Sequence, residues 1–352
     1  MRSDNLKWKV FVRCFTYNQA KYITDAMDGF TKQNTTFPYV CGIVDDSSTD
    51  GENKVIREYV ESYFTKFRDD KETSEAFFTY WQHKVNKNCQ FIYILLKYNH
   101  YSINKSKDPY LKFLRENSEY EALCEGDDFW IDPLKLQKQV DYMDTHKDIG
   151  LCFTDFNVYH QETGEIEKSV LEKQPTRYPY KYTIESWILS KKYIGPMTWM
   201  YRCNILDQIP NLNGVDRTFV WVAFFLTNSK IGCMLHETTS VYRVSCSGVS
   251  HPKNIKGIHD RSVGLLKLQL QLAEMYVNKD SFKDVIIRQW VNGGNLTLCF
   301  ICRDKNGIEF IGQKFSYLSL RNKIIFIFIK SIPILARFII KKRMQYLHKI
   351  QF

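Results

Sequence analysis

Three carboxylates lie within four residues at Glu125, Asp127 and Asp128. Residues 120–123, apolar except for Glu121, precede them and a helical pattern at residues 134–146 follows, so the stretch predicts a strand, an acidic turn and a helix. Crowded carboxylates repel each other at neutral pH, and a divalent cation or several hydrogen-bond donors offset that repulsion. We therefore predict a site for a metal ion and a phosphate group, although Asp is also favoured in a turn that only caps a helix.

A second acidic turn follows the apolar strand predicted at residues 37–44. It begins with Asp45 and Asp46 and continues as Ser-Ser-Thr-Asp-Gly before a helical pattern resumes. Carboxylates and hydroxyls in one turn are suited to hydrogen bonds with a nucleobase and a ribose. A turn that only caps a helix does not require the doubled aspartate, so we favour a binding role.

The elements around these turns alternate between strand and helix. Residues 9–15 and 91–96 are apolar strands, and residues 20–30 repeat apolar side chains at helical spacing. This alternation predicts a parallel sheet with crossover helices, in which ligands bind where the strands end. The turn at residues 16–19 and the amide of Asn99 are therefore expected at the same edge, although a solvated loop explains Asn99 equally well.

The pattern is weaker in other parts of the chain. Residues 64–90 are charged and aromatic without a clean period, which predicts a surface insertion, and residues 162–181 predict a loop. Residues 194–202 combine a Gly-Pro turn with large aromatic side chains, which suit the floor of a sugar pocket or a core strand equally. A buried helix is predicted at residues 218–226, and Asp216 precedes it, placed to cap that helix or to point into a cleft.

The composition is that of an ordinary globular protein, with 352 residues of which 44% are hydrophobic and 25% charged. The first nine residues lead into a strand pattern rather than a secretion signal, so we expect a cytoplasmic protein. The ten cysteines are scattered, and Cys299 and Cys302 form the one close pair, within an apolar run. We expect reduced, buried thiols and no structural zinc.

Most of the net charge of +10 lies at the C-terminal end of the chain. Residues 321–352 carry eight lysine or arginine residues and no acid, so the preceding 320 residues are nearly neutral. Proteins that bind nucleic acid usually carry a basic patch on the folded body. We therefore expect no nucleic-acid partner.

The tail combines this charge with apolar residues. Residues 324–340 are apolar at all but four positions, and their two internal charges make them marginal for a membrane span, which needs about 20 apolar residues. Lys323, Lys330 and Arg337 are seven residues apart, so on a helix they would form one basic stripe. This pattern is typical of a helix in a membrane interface, and docking on the protein's own core is the alternative. Pro333 would kink the helix in either case.

Four motifs, in this order and spacing, are similar to those of the family-2 inverting glycosyltransferases. The similarity extends along about residues 8–252, and the chain looks like the bacterial enzymes that add sugars to surface polysaccharides. The motifs are Thr16-Tyr17-Asn18, Val44-Asp45-Asp46-Ser47-Ser48-Thr49-Asp50-Gly51, Glu125-Gly126-Asp127-Asp128-Phe129-Trp130 and Ser240-Val241-Tyr242-Arg243.

This resemblance implies a GT-A-type fold, which is a Rossmann-like, mixed but mainly parallel α/β sheet flanked by helices. The catalytic domain would span residues 1–255, with a nucleotide-sugar-binding half at about 1–130 and an acceptor half at about 131–255. Residues 256–320 would form a C-terminal helical extension, and residues 321–352 the basic tail at the membrane interface.

The resemblance also implies where the donor binds. Asp46 falls where the family contacts the nucleobase and ribose, and Asp127 falls on the final acid of the Asp-x-Asp motif, which holds Mg²⁺ or Mn²⁺ on the diphosphate. Glu125 replaces the first acid of that motif, which keeps the charge but adds a methylene. The other implied donor-binding residues are Thr16, Tyr17, Asn18, Asp45, Asn99, Glu125, Gly126, Asp128 and Arg243.

The segment around Arg243 and His251 corresponds to the lid region of the family. His251 is implied as a further metal ligand. Arg243 either contacts the diphosphate or pairs with a carboxylate of the protein itself, and the sequence does not separate these two roles.

An inverting transferase needs a carboxylate to take the proton from the acceptor hydroxyl, which is typically worth about 10²- to 10⁴-fold in rate. The resemblance places that acid at the start of the helix before the strand that begins near Lys230. Counting back from Lys230 without a gap puts Thr218 at that position. If the alignment shifts by two residues in the turn at residues 227–229, Asp216 occupies the position instead. We predict Asp216 as the catalytic base, with Thr218 as the alternative position.

The resemblance thus implies a metal-dependent hexosyl- or hexosaminyltransferase that moves a sugar from a nucleotide diphosphate, a UDP-sugar, to a hydroxyl of a cell-surface glycan or lipid-linked acceptor. It would be cytoplasmic and peripheral at the inner face of the plasma membrane. A non-catalytic nucleotide-sugar-binding relative is the alternative, favoured by Glu125 and by the open assignment of the base. An aspartate-nucleophile phosphohydrolase using Asp45 is disfavoured, because it requires Asp-x-Asp after the first strand and Asp45 follows the second.

Overall fold

The computed structural model describes residues 7–190, 194–210, 212, 217–245 and 254–348. The chain forms two compact units. The first unit contains Met1–Lys181, Lys192–Ile209 and Phe224–Cys246, and the second contains Tyr182–Lys191, Pro210–Ala223 and Ser247–Phe352.

All strands of the described residues belong to one sheet, and that sheet lies in the first unit. The strands are β1 (Trp8–Thr16), β2 (Tyr39–Asp45), β3 (Phe64–Glu72), β4 (Ala76–His83), β5 (Cys89–Leu96), β6 (Ser118–Leu123), β7 (Phe129–Trp130), β8 (Ile149–His160), β9 (Glu165–Glu167), β10 (Met200–Arg202) and β11 (Lys230–Val244).

The α-helices of the described residues follow or separate these strands and then make up the C-terminal part of the chain. They are α1 (Ile23–Thr31), α2 (Glu52–Tyr63), α3 (Asp108–Glu116), α4 (Lys135–Thr145), α5 (Val170–Lys173), α6 (Ile184–Leu189), α7 (Arg217–Asn228), α8 (Ile255–Tyr276), α9 (Asp280–Asn292), α10 (Asn295–Ile301), α11 (Lys305–Gln313), α12 (Leu320–Ser331) and α13 (Pro333–His348).

The centre of the sheet is parallel. The strand order is β3-β4-β5-β2-β1-β6-β10-β8-β11-β7, with β9 on β8, and β5, β2, β1 and β6 run in one direction. The chain moves from β1 outward to β2 and β5, and then returns to the other side of β1 for β6. This reversal makes the carboxyl ends of β1 and β6 a topological switch point, where open α/β sheets bind ligands.

Among the parallel strands, β2 and β5 are largely apolar on both faces, which favours a position inside the sheet. Every residue of β2 is buried, as expected for a strand covered by helices on both sides. In α1, Ile23, Met27 and Phe30 recur at helical spacing and are all buried, so this helix covers one face of the sheet. The ring of Phe30 packs edge-on against Trp130 of β7, with ring centroids 4.9 Å apart.

The predicted fold class is confirmed: the protein is a mixed α/β structure with a large central sheet, flanking helices and a C-terminal helical region. Two local predictions were wrong. Residues 64–90, expected to be a surface insertion, contain the antiparallel hairpin β3–β4 at the edge of the sheet. Residues 162–181, expected to be a loop, contain the short elements β9 and α5.

The second unit is helical in its described residues. The predicted kink at Pro333 takes the form of a break, since α12 ends at Ser331 and Pro333 is the first residue of α13, where its fixed φ is tolerated. None of the described helices is long and apolar enough to cross a membrane.

Candidate active site

The turns after β1 and β2 are joined by a buried carboxylate, Glu52, the first residue of α2. The hydroxyl of Thr16 donates to one oxygen of Glu52. The backbone N–H of Gln19 and the hydroxyl of Ser48 donate to the other oxygen, at 2.9 and 2.8 Å. Glu52 therefore fixes the turn after β1 against the turn after β2.

The same two turns are also linked on their exposed side. Asn18 adopts a left-handed backbone with φ of 55°, its N–H donates to the hydroxyl of Ser48 at 2.9 Å, and its side-chain oxygen accepts from the N–H of Thr49 at 2.7 Å. Tyr17 beside it is exposed. These contacts leave the Tyr17 ring at the surface of a rigid pair of turns.

Asp45 and Asp46 point to different partners. Asp45 accepts hydrogen bonds from the N–H of Ser48 at 2.8 Å and from the hydroxyl of Tyr93 at 3.1 Å. Burial nevertheless raises the pKa of Asp45 above its usual value. Its role in the folded chain is to hold the turn after β2 in place.

Asp46 fixes the segment that follows β5. Its carboxylate accepts the backbone N–H groups of His100 and Tyr101 at 2.6 and 3.1 Å, and pairs with the ammonium group of Lys107 at 2.7 Å. In this segment the side-chain oxygen of Asn99 accepts a hydrogen bond from the backbone N–H of Ser102 at 2.7 Å. Asp46 is almost fully buried, so these donors compensate for the loss of water around its charge.

The acidic turn after β6 lies directly against the turn after β1. The N–H of Gly126 donates to the carbonyl of Phe15 at 3.0 Å. A β-carbon at position 126 would lie closer to Thr16 and Gln19 than van der Waals contact permits. Glycine is therefore required for the two turns to approach, and this approach brings Glu125 and Asp127 to the switch point between β1 and β6.

Burial of these three acids changes their protonation. Burial raises the pKa of Glu125 to about 7, with Asp127 adding repulsion and the guanidinium of Arg13 opposing the shift. Burial also raises the pKa of Asp127, and it raises the pKa of Asp128 still more, with repulsion by Asp127 contributing. The three acids thus form a site that disfavours its own negative charge, as expected where a cation is to bind.

Arg243 closes this turn from β11. Its backbone N–H donates to Asp128 at 2.9 Å, and its guanidinium donates to the carbonyl of Asp127 at 2.8 Å and pairs with Asp25 at 2.6 Å. The guanidinium also lies over the rings of Tyr22 and Phe129, at 4.7 and 5.1 Å from their centroids. Arg243 is buried and holds the acidic turn in position, while a contact between Arg243 and the diphosphate stays a prediction.

The remaining predicted residues are distributed as follows. Asp216 and His251 lie outside the described residues, so their roles as base and metal ligand stay predictions. Thr218 is half-buried near the start of α7, in the second unit. The predicted site residues that the structure brings together at the carboxyl edge of the sheet in the first unit are Thr16, Tyr17, Asn18, Asp45, Asp46, Glu125, Gly126, Asp127, Asp128 and Arg243.

Three contributors to this edge were not predicted from the sequence. They are Glu52, which joins two turns, Lys107, which pairs with Asp46, and Asp25, which pairs with Arg243. The one available signal was for Glu52, a carboxylate placed directly after the second acidic turn. Glutamate in the first turn of a helix is common, however, and does not by itself indicate a shared contact.

A group with metal-binding potential lies in the second unit, far in sequence from Glu125 and Asp127. It consists of His259, Cys299 and Asp304. The imidazole of His259 is 3.0 Å from Asp304, whose other oxygen accepts the N–H of Gly307 at 2.9 Å. A thiol and an imidazole suit Zn²⁺ better than Mg²⁺ or Mn²⁺, which prefer oxygen, so this group is not the one predicted to bind the donor's metal.

A cavity of about 540 Å³ lies among β4, β5 and α3 in the first unit, lined in part by Tyr80, Ile92 and Tyr110. None of the predicted site residues lines it. Its walls are mainly aromatic and aliphatic, whereas the three turns at the sheet edge carry the carboxylates that could hold a cation.

No family model matches this chain. The uncharacterized proteins Rv1520 of Mycobacterium tuberculosis and Mb1547 of Mycobacterium bovis are each 29% identical to it over 240 residues. The match covers 67% of this chain and 59% of each relative, so the chain spans well under two thirds of the length of these proteins.

Solved structures of glycosyltransferases share the fold. S. aureus TarS 1-349 in complex with UDP-GlcNAc has a TM-score of 0.53 and 15% identity, covering 98% of this chain and 93% of that chain. The mannosyltransferase PcManGT from Pyrobaculum calidifontis, in complex with GDP-Man and Mn²⁺, has a TM-score of 0.51 and 11% identity, covering 97% and 88%. Identities this low establish the fold alone, and the fold is of the GT-A type.

Proposed function

We propose that this protein is a family-2 inverting glycosyltransferase that depends on a divalent metal. It transfers a hexosyl or hexosaminyl group from a UDP-sugar to a hydroxyl of a bacterial cell-surface glycan or lipid-linked acceptor. The observation that carries the proposal is the convergence of the turns holding Thr16, Asp46 and Glu125 at one edge of a GT-A-type sheet. TarS and PcManGT, which share the fold, are described in complex with UDP-GlcNAc and GDP-Man, which supports a nucleotide-sugar donor.

The turns after β1 and β2 bind the nucleoside in this proposal. Tyr17 offers an exposed ring, and Asn18 lies next to it on a backbone held by Ser48 and Thr49. Asp46 holds three donors of the protein, and a carboxylate offers about four acceptor positions. These donors leave about one acceptor position of Asp46, which we assign to a hydrogen bond from the nucleobase or ribose.

The acidic turn suits the metal. Glu125 and Asp127 offer only oxygen atoms, they repel each other, and their pKa values are raised by burial, so Mg²⁺ or Mn²⁺ would relieve a cost already present in the folded chain. We assign Asp127 as the main ligand and His251 as a second one. When bound, the cation offsets the negative charge that develops on the leaving diphosphate.

The other residues of the turn act as supports. Asp128 accepts a hydrogen bond from the backbone N–H of Arg243, and the guanidinium of Arg243 donates a hydrogen bond to the backbone carbonyl of Asp127. The turn is therefore fixed before the donor arrives, which reduces the cost of ordering it on binding. Asp216 takes the proton from the acceptor hydroxyl during in-line attack, which inverts the anomeric centre.

The acceptor determines where such an enzyme works. A growing surface glycan on a lipid carrier is attached to a membrane, so we propose a cytoplasmic protein peripheral at the inner face of the plasma membrane.

The test is metal-dependent release of UDP by the purified protein against a panel of UDP-sugars, with and without Mn²⁺ or Mg²⁺. Release from one sugar, lost in Asp127→Ala and in Asp216→Asn, is the expected result. Binding of UDP-sugars without release, in the presence of lipid-linked acceptors, would instead favour the non-catalytic relative. Absence of both binding and release across the panel would contradict the UDP-sugar assignment.

A further inference from the structure

The helices α12 and α13 belong to the second unit. One side of each helix packs against the rest of that unit, and the other side is exposed. Ile329 of α12 is 4% exposed and Ala336 of α13 is fully buried. The guanidinium of Arg337 donates to the carbonyl of Ile301 at the end of α10, at 3.1 Å. Because Arg337 is held this way and the helix breaks before Pro333, the single basic stripe expected from the sequence is not continuous.

The opposite side of these helices exposes large apolar side chains to solvent, which is energetically unfavourable. On α12 the exposed residues follow one helical stripe, and on α13 they form one face around Ile334, which is 87% exposed. The exposed apolar residues of the two helices and their junction are Leu320, Ile324, Ile327, Ile332, Ile334, Leu335, Phe338 and Ile339. A group this large marks an interaction surface rather than scattered surface residues.

The charge around this apolar surface has one sign. Residues 310–352 contain no acidic residue. Arg321 and Lys330 on α12 and Lys342 on α13 are exposed beside the apolar side chains. An anionic bilayer presents an apolar interior bordered by negative headgroups, which matches an apolar surface bordered by basic residues. Two copies of the chain meeting through this surface would instead bring like charges together.

We propose that the exposed side of α12 and α13 docks on an anionic lipid bilayer. Leu320, Ile324 and Ile327 of α12 and Ile334 and Phe338 of α13 enter the region between headgroups and acyl chains. Arg321, Lys330 and Lys342 contact the headgroups, and the helices stay attached to the protein through Ile329 and Ala336. The docking rests on these two helices alone, so it is independent of whether the carboxyl edge of the sheet binds a nucleotide sugar.

The test is co-flotation of the full chain with vesicles, without nucleotide or acceptor. The vesicles are phosphatidylcholine alone, or phosphatidylcholine mixed with phosphatidylglycerol at about 2:1, and binding to the anionic vesicles should be at least about tenfold stronger at low salt. Raising the salt concentration should weaken it, because charges at a surface are screened.

Matched variants separate the surface from a general effect of charge. The double variant Ile334→Asp/Phe338→Asp should bind anionic vesicles about 100-fold more weakly. Val85→Asp is the control, since Val85 is exposed to a similar degree, 83%, but lies in the first unit. Lys330→Gln/Lys342→Gln should weaken binding to anionic vesicles only, and the control Lys54→Gln/Lys112→Gln should not.

Three results would overturn the proposal. They are equal binding to neutral and anionic vesicles, unchanged binding by the Ile334→Asp/Phe338→Asp variant, or self-association in sedimentation velocity that this variant abolishes. The last result would identify a second copy as the occupant. The substituted positions are exposed, so each variant should keep its fold, and circular dichroism melting of each variant checks this directly.

Discussion

The carboxyl edge of the sheet and the exposed side of α12 and α13 depart from normal solvation in opposite ways. At the sheet edge, Glu125 and Asp128 are acids whose pKa values are raised because water is removed from them. On α13, Ile334 and Phe338 are apolar side chains left in water. Each region carries a cost that a particular ligand would remove: a cation at the first and a bilayer at the second.

The difference also lies in how each region is supported. The acidic turn is fixed by hydrogen bonds from Arg243 and by close contact with Thr16, so its geometry exists before any ligand binds. The exposed side of α12 and α13 needs no such precision, because a bilayer accepts any apolar surface of suitable size and charge. A single substitution in the acidic turn should therefore have a large effect on function. On the exposed side of α12 and α13 each substitution should have a small effect, and these effects should add.

The largest expected effect is at Asp127. Asp127→Ala removes the main predicted metal ligand and should lower metal-dependent release of UDP by about 100- to 1,000-fold, as loss of one strong electrostatic contact in an active site does. The folded protein should not be destabilised, because the substitution removes repulsion with Asp128. Initial rates with Mn²⁺ and urea unfolding measure the two effects.

The control for Asp127→Ala is Asp69→Ala, which removes an exposed carboxylate of β3. Its rate should equal that of the unmodified protein. Equal rates for both variants would show that the acidic turn does not hold the metal.

The next effect concerns the support beneath the site. In Glu52→Gln an amide nitrogen replaces one acceptor oxygen, and the hydrogen bonds from Thr16, Gln19 and Ser48 lose the negative charge that strengthens them. The free energy of unfolding should fall by about 1 to 3 kcal/mol. Glu58→Gln, on an exposed position of the same helix, should change it by less than about 0.5 kcal/mol. Similar small losses in both variants would mean that Glu52 does not join the two turns.

A smaller effect is expected on the pH dependence of metal binding. Burial raises the folded-state pKa of Glu125 to about 7, above the ordinary value of 4.5, so the folded chain without metal favours the protonated carboxyl. The stability that this gives is fully present below about pH 4.5 and is lost as the pH rises through 7. Mn²⁺ competes with that proton, so its apparent affinity should rise roughly tenfold per pH unit below pH 7 and level off above it. Thermal shift titrations with Mn²⁺ between pH 6 and 8 measure this.

Glu125→Gln is the matched variant for the pH experiment. Its Mn²⁺ affinity should be lower and should vary much less over the same range, because the titrating group is gone. A slope that persists in Glu125→Gln would assign the pH dependence to another group.

The smallest expected effect is that of Ile334→Ala on the stability of the C-terminal helices. Ile334→Ala should change the free energy of unfolding by less than about 0.5 kcal/mol, because Ile334 contacts little of the folded chain. Ile329→Ala, which empties a buried position on the other side of the same pair of helices, should cost about 2 to 4 kcal/mol. Urea unfolding distinguishes the two, and equal costs would mean that Ile334 is buried in solution.

The sequence predicted those strands in which nearly every residue is buried. β1, β2 and β5 are apolar runs covered on both faces, and the acidic turns at Asp45 and Glu125 follow directly from where such strands end. The strand β3 was missed because, at the edge of the sheet, its residues after Phe64 are exposed and carry no alternating pattern.

The contacts that fix the site could not be predicted in the same way. Lys107 pairs with Asp46 across 61 residues, and Asp25 pairs with Arg243 across 218. Such partners depend on how strands and turns pack, which local sequence does not specify. The raised pKa values likewise depend on burial by the whole first unit, so the sequence indicated an acidic cluster but not its protonation.

The central claim is that the carboxyl edge of β1, β2 and β6 binds a nucleoside diphosphate through a metal on Asp127. Isothermal titration of UDP into the protein, with and without Mn²⁺, tests it most directly, with Asp127→Ala alongside. We predict that Mn²⁺ tightens UDP binding by at least about tenfold and that Asp127→Ala removes this gain while keeping the weaker metal-free binding. An absence of UDP binding, or a metal effect that survives in Asp127→Ala, would contradict the account.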